Sequence, residues 1–215
     1  MLTIYGRRSA YNVQKVLWLV GELGQPHQVI EKGGEFGGLD DPDFLTLNPN
    51  GRVPVLVDGD TVVWESHSIL RYLAAQYGGE GWWPADPAMR SLADRWLDWT
   101  RSNLEEDFLE GVFWGWYRTP PEQRDDAAVE SALDRCDADL RLLEATIGDN
   151  PFFLGNVPTL ADIVLGVNFY RYFNIDITRP VGARVTAWYE RLTGRQAYRA
   201  AVMLPFDHMK GRLSF

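Results

Sequence analysis

The sequence is poor in the residues from which a protein builds its own redox or metal centre. Cys136 is its one cysteine, so an intramolecular disulfide, a Cys-x-x-Cys redox pair and a cysteine-built zinc cluster are all excluded. His67 and His208 have no metal-ligand spacing with other His, Asp or Glu, and no metal is expected. Long apolar runs are missing too. Nothing approaches the roughly 20 residues of a spanning helix, and the opening Met1-Leu2-Thr3-Ile4-Tyr5-Gly6-Arg7-Arg8 lacks the apolar stretch of a signal peptide. The expectation is a cytoplasmic protein with no membrane partner. Positive charge is also short: 21 Lys and Arg against 30 Asp and Glu leave a net charge of −9. That argues against nucleic acid, whose phosphates are met by clustered bases. Arg7-Arg8 is the chief local exception and is expected to be solvated.

What remains is ordinary for a globular protein, with 46% hydrophobic and 24% charged residues in a chain of 215, enough for one large core or two modest ones. Two periodicities share it. Leu2-Thr3-Ile4-Tyr5 reads as a strand, and Val13, Val16, Leu17, Val20 and Leu23 follow helical spacing up to Gly24. Further strands are predicted near His27 to Glu31, at Val53 to Val57 and at Thr61 to Trp64, the last two joined by the hairpin signal Asp58-Gly59-Asp60. Helical pieces are predicted around Asp41 to Leu47 and from Ser66 to Tyr77. The order β-α-β-α-β-β-α suits a small mixed sheet. Residues 78–87 are dense in Gly and Pro and read as a linker.

Beyond the linker the pattern is helical, with long helices expected over 88–117 and 121–147, a third from Thr159, and shorter ones over 183–193 and 196–203. Thr159-Leu160-Ala161-Asp162 reads as a capping box with Asp in the place of Glu. Cys136 falls on the stripe Ala128, Ala132, Leu133, Cys136, Leu140, Leu143, Ile147 and is expected to be a small buried hydrophobe.

Two stretches carry chemistry. In Asn48-Pro49-Asn50-Gly51-Arg52-Val53-Pro54 a proline stands at the mouth of a strand, where it is tolerated at an edge or in a cis turn. A cis Pro54 would leave the N–H and C=O of Val53 to pair with an extended peptide. In Trp64-Glu65-Ser66-His67-Ser68 a strand gives way to a helix. Ser66 is placed to cap that helix, its first-turn N–H groups favour a carboxylate, and Glu65 can hold an ammonium. An α-amino acid head group needs both.

These stretches, with the Tyr5-Gly6 turn, Gly155 and the helix start at Thr159, resemble the cytosolic glutathione S-transferase family, particularly its theta-like bacterial branch, over the whole chain. The resemblance implies an α/β thioredoxin-like domain over residues 1–80 and an all-α helical bundle over 87–215 that forms a second-substrate pocket. It implies glutathione as co-substrate, a small electrophile as its target, and a homodimer. The glutathione-binding residues it implies are Arg52, Val53, Pro54, Glu65, Ser66 and His67. The chain would hold glutathione's thiolate at the start of its first helix and direct it at an electrophile. Glutathione-dependent disulfide or peroxide reduction and a non-catalytic glutathione-binding scaffold are the alternatives. Where relatives with the segment Gly-Arg-x-x-Ser-x-Asn-Val-Gln-Lys carry an activating serine, this chain has Ala10. Ser9, Tyr11 and Asn12 flank it as candidates for the catalytic role, with backbone N–H donors as a fourth. Phe113, Trp114 and Tyr117 are the candidates for the apolar second-substrate pocket. Phe36, in the Gly-rich loop, is a possible border of the glutathione site.

Overall fold

A computed structural model of the chain describes residues 1–177 and 179–214. Strand β1 (Leu2–Tyr5) lies at the centre of a four-stranded sheet of order β2-β1-β3-β4. It runs parallel to β2 (His27–Ile30) and antiparallel to β3 (Val55–Asp58), which pairs antiparallel with β4 (Thr61–Trp64). The parallel pair is bridged by helix α1 (Tyr11–Glu22), as a crossover requires, and the antiparallel pair by the tight turn at Gly59, whose φ is +58°. Helices α2 (Pro42–Leu47) and α3 (Ser66–Tyr77) complete the expected order, and a short α4 (Gly79–Trp82) occupies the segment read as linker. The core here is built from Ile4, Val13, Val16, Trp18, Val20, Val55, Leu56, Ile69, Leu70 and Leu73, all fully buried. The end of α3 is tied to the hairpin by Tyr72 and Tyr77, whose hydroxyls both donate to Asp58 Oδ2, at 2.8 and 2.5 Å.

The chain divides into two compact units, 1–83 with 196–204, and 84–195 with 205–214. The all-helical region expected over 87–215 is therefore interrupted, because helix α9 (Gln196–Ala201) belongs to the first unit. It covers α1: Trp18 and Tyr198 meet edge to face at 4.7 Å, Gln14 Nε2 donates to the Val202 carbonyl at 3.3 Å, and Gly21 leaves room for Ala197.

In the second unit, α5 (Pro87–Ser102) opens with Asp86 accepting from the Ala88 N–H at 2.9 Å. The single helix expected over 88–117 is broken at Asn103, whose φ of −129° and ψ of −84° leave the helical region. A π-type helix, wider than an α-helix, follows over Glu105–Arg118. It approaches α6 (Asp126–Ile147) so closely that a Cβ on Gly111 would stand 2.5 Å from that of Ala132. The second long helix likewise begins at 126 rather than 121, after a short 3₁₀ turn over Pro121–Gln123. Its buried stripe includes Val129 in place of the expected Ala128, which is exposed, and contains Cys136 as expected. Burial, with Asp107 and Asp139 nearby, pushes that thiol well above its usual range.

Helix α7 (Leu160–Tyr172) starts at the expected capping box. Asp162 is fully buried and accepts from the N–H groups of Phe153 and Thr159 and from Trp188 Nε1, each at 2.8 Å, and from Thr159 Oγ1 at 3.1 Å. Helix α8 (Ala183–Thr193) has its first N–H groups met by Glu144 of α6, at 3.0 Å from Arg184 and 2.9 Å from Val185. Among the described residues no helix is long and apolar enough to cross a membrane.

Candidate functional site in the first unit

The loop before β3 is organised by a buried asparagine. Asn48 Nδ2 donates to the Arg52 carbonyl at 2.8 Å, while its Oδ1 accepts from the Asn50 N–H at 3.0 Å. Gly51, at φ +59°, lets the turn close beneath the Leu39 carbonyl. What this loop presents is Val53 followed by a cis peptide bond to Pro54. Among the described residues neither the N–H nor the C=O of Val53 has a backbone partner. Arg52 beside it is exposed, with its side chain in solvent. Gly6 is the hub behind this loop: a Cβ there would stand 2.5 Å from Val13 of α1 and 3.1 Å from Val53.

The start of α3 departs from expectation in one respect. Ser66 does not cap it. The N-cap position is taken by Glu65, which has no side-chain cap bond and sits at φ +69° and ψ +119°, a conformation costing about 1–3 kcal/mol for a residue with a Cβ. The Glu65 side chain is exposed, and Ser66, buried in the first turn, instead donates to Asn12 Oδ1 at 3.3 Å. That bond ties the first turn of α3 to the first turn of α1.

The start of α1 is also uncapped. Its N-cap is Ala10, whose methyl side chain cannot accept, so the N-cap residue gives the first turn no side-chain cap. Two helix N-termini without a side-chain cap are therefore joined through Ser66 and Asn12, an arrangement that favours negative charge. Of the flanking candidates, Ser9 sits in the preceding turn and is half-buried, and Tyr11 is buried. Asn12 is the one joined directly to the start of α3.

Asn12 has a second partner that the sequence reasoning missed. Lys15, fully buried, donates from Nζ to Asn12 Oδ1 at 3.0 Å, lies 3.0 Å from His67 Nε2, and stands 4.6 Å from the centre of the Tyr11 ring. His67 thus turns its Nε2 to Lys15, and the ring of Tyr11 does the same. A lysine within the buried run Val13 to Val20 was the available signal. Asn48, in the sequence one member of a motif, holds the loop through its side chain.

In the second unit Phe113 and Tyr117 stack at 5.2 Å and both meet Phe206 edge to face. They are buried in that cluster, whereas Trp114, half-exposed, points elsewhere, with the Arg118 guanidinium 3.7 Å from its ring centre. The three are not brought together. Phe36 is exposed on the 3₁₀ turn Gly34–Phe36. Arg7 is not simply solvated as expected: its side chain lies against Gly33 and Gly34, and burial lowers its pKa. Arg8 is exposed, 3.8 Å from Glu31. No cluster of three or more His, Cys, Asp or Glu able to hold a metal occurs among the described residues.

Family models match both halves of the chain, a glutathione S-transferase N-terminal domain over residues 11–76 and a glutathione S-transferase C-terminal domain over 126–191. Glutathione S-transferase GstB of Escherichia coli is 42% identical over 207 residues, 95% of this chain and 99% of that protein. The chain belongs to the glutathione S-transferase family. Among solved structures, this glutathione S-transferase is similar to the theta-class enzyme of Xanthomonas axonopodis pv. citri with glutathione bound, at a TM-score of 0.88 and 44% identity, covering 95% of this chain and 98% of that one. Mouse glutathione S-transferase theta-1 is 30% identical over 201 residues, covering 82% of this chain and 76% of its own length. The expected fold, a four-stranded thioredoxin-like unit followed by helices, is thus the fold of this family member.

Proposed function

We propose that this glutathione S-transferase binds glutathione across the starts of α1 and α3 and uses its thiolate to displace a leaving group from a small electrophile. The observation that carries the reading is the pair of uncapped helix starts, joined through Ser66 and Asn12 beside the open backbone of Val53. In this reading the γ-glutamyl carboxylate takes the Ser66 end of α3 and its ammonium takes Glu65. The cysteinyl backbone pairs with Val53 in the turn set by Pro54, and Arg52 meets the remaining carboxylate.

The thiol then falls to the start of α1, where Ala10 offers no hydroxyl. Asn12 is the residue we assign to it, with the first-turn N–H groups. Lys15 is a donor only, so the atom of Asn12 facing it is the oxygen, and the amide hydrogens lie on the other branch of the group. Those hydrogens stabilise the thiolate. The S–H proton leaves to water, a carbon–sulfur bond forms at the electrophile, and the leaving group departs with its electron pair. His67, engaged by Lys15, acts from behind the site rather than on glutathione. Phe113, Trp114 and Tyr117 remain the candidates for electrophile contact. The reading extends to a homodimer resident in the cytoplasm, on the strength of the family resemblance.

The test is a titration of thiolate absorbance against pH with glutathione bound. The bound thiol is expected to ionise roughly 1–2 pH units below its free value of about 8.5. Asn12→Ala should return it toward that value and lower kcat by about 10²-fold. Binding with an unshifted thiol would favour the scaffold alternative, and absence of binding would sink the assignment.

A further inference from the structure

The apolar face of α1 contains one residue that packing does not explain. Val13, Val16, Leu17, Leu19 and Val20 fill their places with hydrocarbon, yet Lys15 among them is fully buried. An ammonium out of water costs several kcal/mol, and a methionine or leucine would fill the same volume without that cost. The groups described around its Nζ are the Asn12 oxygen and the His67 Nε2, each at 3.0 Å, and the Tyr11 ring face at 4.6 Å. All three are electron-rich, which is a setting for a protonated amine. For His67 to accept at Nε2, its own proton must be on Nδ1.

We propose that Lys15 is a positioning residue for the thiolate. It holds the Asn12 amide in one orientation and supplies, from behind it, a fixed positive charge that strengthens its N–H donors. This rests on the reading in which glutathione's thiol is bound at the start of α1. Two effects combine. Asn12 Oδ1 accepts from both Lys15 and Ser66, so the amide cannot turn its oxygen toward the ligand without losing both bonds. A cation on the carbonyl side also polarises the amide, making its hydrogens better donors to an anion, and does so away from solvent screening. Asn12 and Lys15 are one helical turn apart, so the backbone fixes their separation. Lys15 touches neither reactant and acts through the Asn12 amide. His67 is its counterpart on the other side and sets where the ammonium sits.

The experiment compares wild type, Lys15→Met and His67→Phe by thiolate absorbance of bound glutathione against pH, glutathione affinity by calorimetry, and circular dichroism for folding. For folded Lys15→Met we expect the bound thiol's pKa to rise by about one unit, and kcat at neutral pH to fall about tenfold. Glutathione affinity at low pH should stay within about threefold, since the thiol is then protonated in every variant. A folded Lys15→Met with the wild-type thiol profile overturns the proposal. If Lys15→Met does not fold, the partly exposed His67→Phe decides: a rise in the same direction, smaller in size, supports it, and an unmoved profile overturns it. Wild type showing no bound thiolate at any pH overturns the glutathione reading and this proposal together. A wild-type thiolate with unmoved variants overturns this proposal alone.

Discussion

The start of α7 and the starts of α1 and α3 face the same physical problem and meet it in opposite ways. Every helix begins with N–H groups that lack an intrahelical partner. At α7 the chain supplies its own: the Thr159–Asp162 box closes on itself, and the buried carboxylate also gathers Phe153 and Trp188. At α1 and α3 the N-cap side chain supplies none, with Ala10 and a backbone-strained Glu65 where a cap would be. A satisfied start locks a fold. A pair of starts without side-chain caps, joined through Ser66 and Asn12, leaves its positive dipole ends to favour an anion.

The sharpest way to break this contrast is Asp162→Ala. It leaves the donors of Phe153, Thr159 and Trp188 buried without an acceptor, and should cost about 3–5 kcal/mol in urea denaturation. A loss under about 1 kcal/mol would mean that the capping box is decoration. Next in size is Asp139, a buried carboxylate of α6 whose Oδ2 has no partner among the described residues. Burial first, then Asp107, raises its pKa to about 7 against the pull of Arg135. The folded state thus holds this proton more tightly than the unfolded state does. Its contribution to stability is present at acidic pH and is lost as pH rises through about 7. Asp139→Asn, which mimics the protonated form, should raise Tm by roughly 3–6 °C at pH 8.5 and hardly at all at pH 4. Equal shifts at both would break the argument. The smallest effect is expected from Ala10→Ser, which gives α1 the cap it lacks and should stabilise the glutathione-free protein by about 1 kcal/mol, read from the urea midpoint.

These same features explain how far the sequence could be read. Strands and helices of the first unit followed from period and punctuation, because Gly24, Gly59 and the apolar spacing of α1 and α3 act locally. The Thr159–Asp162 box was legible for the same reason. The turn at Val53-Pro54 and the helix start at Ser66, with their candidate binding residues, are legible in short motifs joined to a family resemblance. What could not be read were relationships set by tertiary contact. Ser66 turns to Asn12 instead of capping, Lys15 is buried against His67, which is 52 positions away, and α9 packs on α1 across an intervening unit. The break at Asn103 is a departure of one residue's backbone, φ −129° and ψ −84°, that an unbroken helical pattern does not signal. For Phe113 and Tyr117, aromatic side chains near a helix end suit both a pocket and a core, and the sequence does not show that they cluster with Phe206.

The return of residues 196–204 to the first unit also has a consequence for biosynthesis. Trp18, Gln14 and Gly21 find their partners in Tyr198, Val202 and Ala197, made long after α1 itself. A nascent chain can form the sheet early, but one face of α1 stays bare until residues 196–204 have left the ribosome. Excising residues 1–83 as a free-standing module would expose that same face, so any minimal version of the glutathione-binding half must bring the 196–204 segment with it.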